Sequence, residues 1–202
     1  MRVACIVEGD GEVPAVPVLL RRLASWISPE IQVAIQPPIR VYKDRFLNRD
    51  EEFRRHLLLA ASKAGDGGFV LVLLDADDDC PAEQGELIRE RVQQVIPHRR
   101  YSVVLANREF EAWFIAGAES LKGSRGFNCS DADLLIDPEG PRNAKKWVGE
   151  RLAARAYHET TDQPALAAMV DLETVHRRSR SFRKLCSDWR GAVPDLAQGE
   201  SQ

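Results

Sequence analysis

Phe69-Val70-Leu71-Val72-Leu73-Leu74 is an unbroken apolar run, and it passes straight into Asp75-Ala76-Asp77-Asp78-Asp79-Cys80-Pro81. A run of this length, bounded upstream by Gly65-Asp66-Gly67-Gly68, reads as a strand buried on both faces, as in a parallel sheet. The sudden change to acid marks its carboxyl end. Two other runs have the same form. RVACIV (2–7) ends in Glu8-Gly9-Asp10-Gly11-Glu12, and YSVVLA (101–106) ends in Asn107-Arg108-Glu109-Phe110-Glu111. Helical spacing fills the intervals: 13–26, with Pro14 and Pro17 expected in the first turn, then 51–64 with Phe53, Leu57, Leu58 and Ala61, then 83–96. Segment 31–41 is β-rich but broken by Pro37-Pro38, which predicts an edge or irregular strand. The alternation predicts an α/β fold: a mostly parallel sheet with helices on both faces.

Beyond Gly123 the pattern changes. Residues 124–141 read as a loop, and helices are expected over 141–156, 164–169 and 179–189, with the last dozen residues frayed. The expected division is an α/β core over 1–122 and a helical C-terminal extension over 123–202, packed as one compact unit. The four cysteines, Cys5, Cys80, Cys129 and Cys186, are far apart, which argues against a disulfide framework or a zinc cluster. No stretch approaches the ~18 apolar residues of a membrane span. The run before Glu8 is too short for a signal peptide, so no membrane role and a cytoplasmic location are expected.

Ligands of open parallel sheets bind beyond the carboxyl ends of the strands. Here three strand ends carry acid: Glu8, then Asp75 and Asp77, then Glu109 and Glu111. Taken singly, Asp10, Asp78 and Glu83 read as caps or solvated turn residues. If the three strands are adjacent, however, their carboxylates meet at one rim and repel one another. A divalent cation resolves that conflict. Hard oxygen donors suit Mg²⁺ or Mn²⁺, and no His or Cys accompanies them to favour zinc.

The pairing of strand-VEGxxE (Glu8 to Glu12) with strand-DxDxD (Asp75, Asp77, Asp79) resembles the Toprim domain of topoisomerases, primases and overcoming-lysogenization-defect nucleases. The wording VEGDGEVPAVPVLLRRL, LLDADDDCP, ANREFEAWFIA and RSRSFRKL is closer still to the bacterial domain of unknown function 4276, placed among Toprim-like folds. The resemblance implies a Toprim-like, Rossmann-like sheet and a Mg²⁺-dependent nuclease. It implies Glu8 as general acid/base and metal ligand, Asp75 and Asp77 as metal ligands, and Asp79 as the third acidic position of the metal site. Glu109 or Glu111 would match the extra acidic site of two-metal Toprim nucleases. It also implies a partner ATPase of AAA or ABC type in a defence or mobile-element system. The chain has no Walker A motif of its own.

The formal net charge of −3 hides two poles. Residues 75–90 hold seven acids and one base, whereas 141–190 hold eleven bases and six acids. Basic surface beside a metal site is what a nucleic acid requires. Lys145 is the candidate for neutralising transition-state charge, and Lys146, Arg178, Arg180, Arg183 and Lys184 are the candidates for phosphate contacts. Phe110, Trp113, Phe114 and Trp147 have the spacing of core residues rather than of base-stacking ones. The opposing expectation is a non-catalytic module that binds nucleic acid or a nucleotide and regulates a partner.

Overall fold

The computed structural model describes residues 1–152 and 156–193. The sheet comprises β1 (Arg2–Val7), β2 (Ala34–Ile35), β3 (Ile39–Arg40), β4 (Phe69–Asp75) and β5 (Arg100–Ala106). All of its pairings are parallel, in the order β2-β1-β4-β5, with β3 also on β1. The strand signals at 2–7, 69–74 and 101–106 are therefore adjacent. Segment 31–41 forms two short strands, β2 and β3, because Pro37-Pro38 separate them and supply no N–H to the ladder.

Helices cover both faces. On the first face, α1 (Glu12–Ile27) and several C-terminal helices pack on Val3, Cys5, Val7, Leu71 and Leu73. On the second, α2 (Lys43–Asn48), α3 (Asp50–Ala64) and α4 (Pro81–Val95) pack on Ala4, Ile6, Val70, Val72 and Leu74. Alternate residues of each strand feed opposite cores, as a pleated strand buried on both sides must. Pro17 stands inside α1 rather than in its first turn, because the helix already begins at Glu12.

After β5 come α5 (Ala112–Ala116), α6 (Ala118–Leu121), a 3₁₀ turn (Ser124–Gly126), α7 (Asp131–Leu135), α8 (Ala144–Glu150), α9 (Glu159–Met169), α10 (Leu172–Arg178) and α11 (Arg180–Ala192). The expected loop over 124–141 thus contains α7. A capping box nucleates it, with Ser130 and Asp133 each satisfying the other's backbone N–H. α9 starts a turn before Pro164, since the Asp162 carboxylate reaches back to accept from the His158 N–H at 2.8 Å. α10 goes beyond the predicted elements and is capped by Asp171, which accepts from the Thr174 N–H at 2.7 Å. α11 begins after its Ser179 cap, as expected. Of the predicted helix over 141–156, only Ala144–Glu150 is helical among the described residues, as α8; 153–155 lie outside them. Of the expected frayed dozen, 194–202 also lie outside them.

One apolar cluster joins the two halves of the chain. Leu19 and Leu20 of α1, Trp113 and Phe114 of α5, Leu166 of α9, and Phe182, Leu185 and Trp189 of α11 all belong to it. No helix among the described residues is long and apolar enough to cross a membrane.

Candidate functional site

The carboxyl ends of β1, β4 and β5 open on a cavity of about 440 Å³. Its walls include Glu8, Glu12, Asp75, Asp77 and Glu111, together with Arg40, Lys43, Lys145, Glu159 and Gln163. The three acidic strand ends therefore do converge, but their members play different parts.

Glu12 is almost fully buried and folds back on its own strand end, accepting from the Glu8 N–H at 3.1 Å. Burial, only partly offset by the Glu8 and Gly9 backbone amides, pushes its pKa up to about 7. The glycines of this turn serve close approach: a Cβ on Gly9 would stand 3.0 Å from a Glu12 carboxylate oxygen, and one on Gly11 would stand 2.4 Å from the Gln163 amide oxygen.

Asp75 ends β4, and its Oδ1 accepts from the Phe110 N–H at 2.8 Å, which fixes the REFEAWF segment to the neighbouring strand end. Desolvation raises its pKa well above the usual carboxylate range, and the charges of Glu12, Glu111 and Glu8 push the same way. Glu8 is raised too, chiefly by burial, while Lys43 pulls it down. Its Oε2 is buried and has no hydrogen-bond partner. An anionic oxygen left bare inside a protein is costly, and such sites cluster where ligands bind.

Asp77 and Arg108 both adopt left-handed backbone, with φ of 53° and 66°. The Asp77 N–H donates to the Arg108 carbonyl at 2.9 Å, and Arg108 Nη1 returns a bond to the Asp77 carbonyl at 3.1 Å. Two strained residues thus hold each other at the rim, an arrangement favoured at functional sites. The same guanidinium pairs with Asp78 at 2.6 Å, and Arg142 joins that carboxylate at 3.2 Å.

Glu109 and Glu111 part company. Glu111 is 1% exposed and lines the cavity, with Oε1 accepting from the Tyr157 hydroxyl at 3.0 Å and from Gln163 Nε2 at 2.8 Å. Burial raises its pKa against those hydrogen bonds. The Glu109 carboxylate instead accepts from the Lys145 backbone N–H at 2.7 Å, in the first turn of α8. It is not among the cavity walls, and neither is Asp79, an exposed turn residue.

Lys145 does face the cavity, with Nζ 3.0 Å from Glu159. Burial alone would lower its pKa, but Glu111 and Glu159 raise it overall. The other basic candidates lie elsewhere. Lys146 is exposed and pairs loosely with Glu150 at 3.8 Å. Arg178 donates to the carbonyls of Ala116, Leu134 and Ile136, tying the 130s turn to α5. Arg183 donates to the carbonyls of His176 and Arg177, and Lys184 pairs with Asp188. Arg180 and Lys184 border a different groove, between α4, β5 and α11.

Sequence reading passed over Lys43. Its Nζ donates to the Asp75 carbonyl at 2.7 Å and to Asp77 Oδ2 at 2.5 Å, so an ammonium stands between the two DxD residues. Lys43 comes from short α2, for which no periodic pattern exists, and only the fold brings it here. Phe110, Trp113 and Phe114 are fully buried, as their spacing predicts, and Trp113 Nε1 donates to the Ser181 hydroxyl at 2.9 Å. Trp147 is half-buried, with the Arg151 guanidinium 3.6 Å from its ring centre.

The family described as Domain of unknown function (DUF4276) matches residues 7–189, from the end of β1 almost to the end of α11. The chain belongs to that family. None of the curated proteins and none of the solved structures compared with it matches. The match encloses every cavity residue named above. Among the described residues, no three His, Cys, Asp or Glu side chains are grouped so as to hold a metal ion.

Proposed function

We propose that this DUF4276 chain is a Mg²⁺- or Mn²⁺-dependent phosphodiesterase of Toprim type that cleaves nucleic acid. The observation that carries the reading is Glu8. Its unpartnered, buried carboxylate oxygen lies at the same cavity as Asp75 and Asp77, on adjacent parallel strand ends. These are hard, anionic donors whose mutual repulsion a divalent ion would relieve, so their chemistry suits the ion. No three of them are grouped to hold one among the described residues, so their side chains would have to close on it. Asp77, whose side chain is 63% exposed, would exchange Lys43 for it. Held by Glu8, Asp75 and Asp77, the ion would supply charge neutralisation for displacement at phosphorus. Glu8, its pKa raised by burial, moves the proton of the attacking water. Lys145 holds the phosphate charge across the cavity. Glu111 shapes the floor through Tyr157 and Gln163. A partner ATPase belongs to the reading by resemblance, and a cytoplasmic location to the sequence reading alone.

The test is cleavage of supercoiled DNA, single-stranded DNA and RNA in Mg²⁺ or Mn²⁺. Glu8→Gln and Asp75→Asn should each lower the rate by at least about a hundredfold. Asp75→Asn should also abolish Mn²⁺ binding seen by paramagnetic resonance. A variant that cleaves like the wild type sinks the assignment. The Lys43–Asp77 pair favours a second reading, a binding module that works without a metal. Strand binding with no cleavage in either ion would support it.

A further inference from the structure

The basic C-terminal half was the expected landing place for nucleic acid, yet Arg178 and Arg183 serve backbone carbonyls and Arg180 and Lys184 border another groove, which leaves Lys145 as its one candidate at the cavity. The wall of the acidic cavity contributed by 40–45 offers a better one. Residues 40–49 hold Arg40, Lys43, Arg45 and Arg49 against the single acid Asp44. Within this stretch Tyr42 is 60% exposed, more than any other Phe, Trp or Tyr among the described residues. The Arg40 and Arg45 guanidinium carbons lie 4.6 and 5.4 Å from the centre of its ring. Arg40 is also tethered to Asp10 at 2.7 Å, and both Arg40 and Tyr42 line the cavity.

We propose that Tyr42, flanked by Arg40 and Arg45, is the docking site of a single-stranded nucleic acid, with an unstacked base on the Tyr42 ring and neighbouring phosphates on the two guanidiniums. The proposal rests on the phosphodiester reading of the cavity for its purpose, though not for its test. The guanidiniums already lie over the Tyr42 ring, and a base can take the place of one of them against the π-face while the phosphates of the strand draw that cation outward. A paired base has no free face to give, so the ring selects single strands. The order of charge also fits. A positive lip draws in a polyanion that the acidic floor alone would repel, and Lys43 stands between lip and floor.

The experiment uses the full chain in EDTA, where no cleavage occurs, and reads fluorescence anisotropy of labelled 12-mers of dT and U, their duplexes, and an abasic 12-mer. Tyr42→Ala should weaken single-strand binding about tenfold or more. It should leave the duplex and the abasic strand unchanged, while Tyr42→Phe keeps wild-type affinity. Arg40→Ala with Arg45→Ala should flatten the slope of log affinity against log salt by about 1.4, at about 0.7 per cation on single strands. Arg183→Ala with Lys184→Ala should leave the slope unchanged. Circular dichroism melting checks that each variant is folded.

Wild-type affinity in Tyr42→Ala overturns the proposal, as does an equal loss on the duplex. So does failure of the wild type to bind either strand, or binding that polyglutamate displaces equally from wild type and Tyr42→Ala. A Tyr42-dependent strand complex in a protein that cleaves nothing leaves this surface standing and removes the nuclease reading. Cleavage with Tyr42-independent binding does the reverse. The dT and U arms separate a DNA preference from an RNA one.

Discussion

Glu139 and Glu12 are both buried carboxylates close to the carboxyl ends of the strands, and their surroundings are opposite. Glu139 Oε1 accepts from the Ser179 hydroxyl at 2.7 Å, the Ser181 N–H at 3.0 Å and the Ser181 hydroxyl at 2.9 Å, while Oε2 takes Asn107 Nδ2 at 3.2 Å. Burial alone would raise its pKa, but these donors more than offset that and hold it below the usual range. Glu12 has backbone donors at Glu8 and Gly9, yet it also faces the charges of Glu8 and Glu111, and Asp75 feels its own. One carboxylate is a finished joint between the α11 N-terminus and β5. The other belongs to a group that folding leaves short of positive charge. Unmet demand of this kind, more than acidity, separates a functional cluster from a structural one.

The contrast is open to attack by substitution. Glu139→Ala strands the Ser181 N–H and two hydroxyls in a buried joint and should cost about 3 kcal/mol in urea unfolding. Glu8→Gln removes one charge from the repelling group and should leave stability unchanged or raise it by about 1 kcal/mol. Equal losses for the two variants would break the distinction.

The pH dependence of stability is the next largest effect. Glu12 has its folded pKa near 7 against an ordinary 4.5, so between those values the folded state holds more protons than the unfolded one. Stability should therefore fall as pH rises from about 4.5 to 7, by about 2 to 3 kcal/mol from this group, with the raised Asp75, Glu8 and Glu111 adding in the same direction. Thermal melts at pH 5 and pH 8 should show the loss. Glu12→Gln should flatten it, and millimolar Mg²⁺ should restore stability at pH 8. A melt that rises over this window would show that the cluster is already neutralised.

The smallest effect separates the two glutamates of REFEAWF. Glu109→Gln should cost about 0.3 to 1 kcal/mol at the α8 N-terminus. It should leave cleavage within about threefold, while Glu111→Gln lowers it by more. The reverse ranking would move the site from Glu111 to Glu109, two residues back along the chain.

The strand ends were readable because a doubly buried strand needs an unbroken apolar run, and a rim acid cannot hide inside one. Glu8, Asp75 and Asp77 stand out for that reason, and their convergence follows once the strands are adjacent. The choice of Glu111 over Glu109 was not readable, since both lie just past the strand and only the local chain path decides which faces inward. Lys43 and Tyr42 were missed because short α2 carries no periodicity and reaches the cavity through the β3 crossover. The basic residues at 178–184 looked like a phosphate surface because sequence shows charge but not the carbonyls it serves. α7 and α10 did carry a usable signal, the Ser130/Asp133 and Asp171 caps, in segments too short for hydrophobic spacing to register.

The cavity wall is assembled from both halves of the chain. Glu8, Asp75 and Asp77 come with the strands, whereas Lys145, Glu159 and Gln163 arrive from α8 and α9, seated where Gly11 leaves room for Gln163. Inheritance of the reacting groups and inheritance of what surrounds them are thereby uncoupled. Exchanging the C-terminal helices between two family members would renew one side of the cavity while every carboxylate on a strand end stayed in its place.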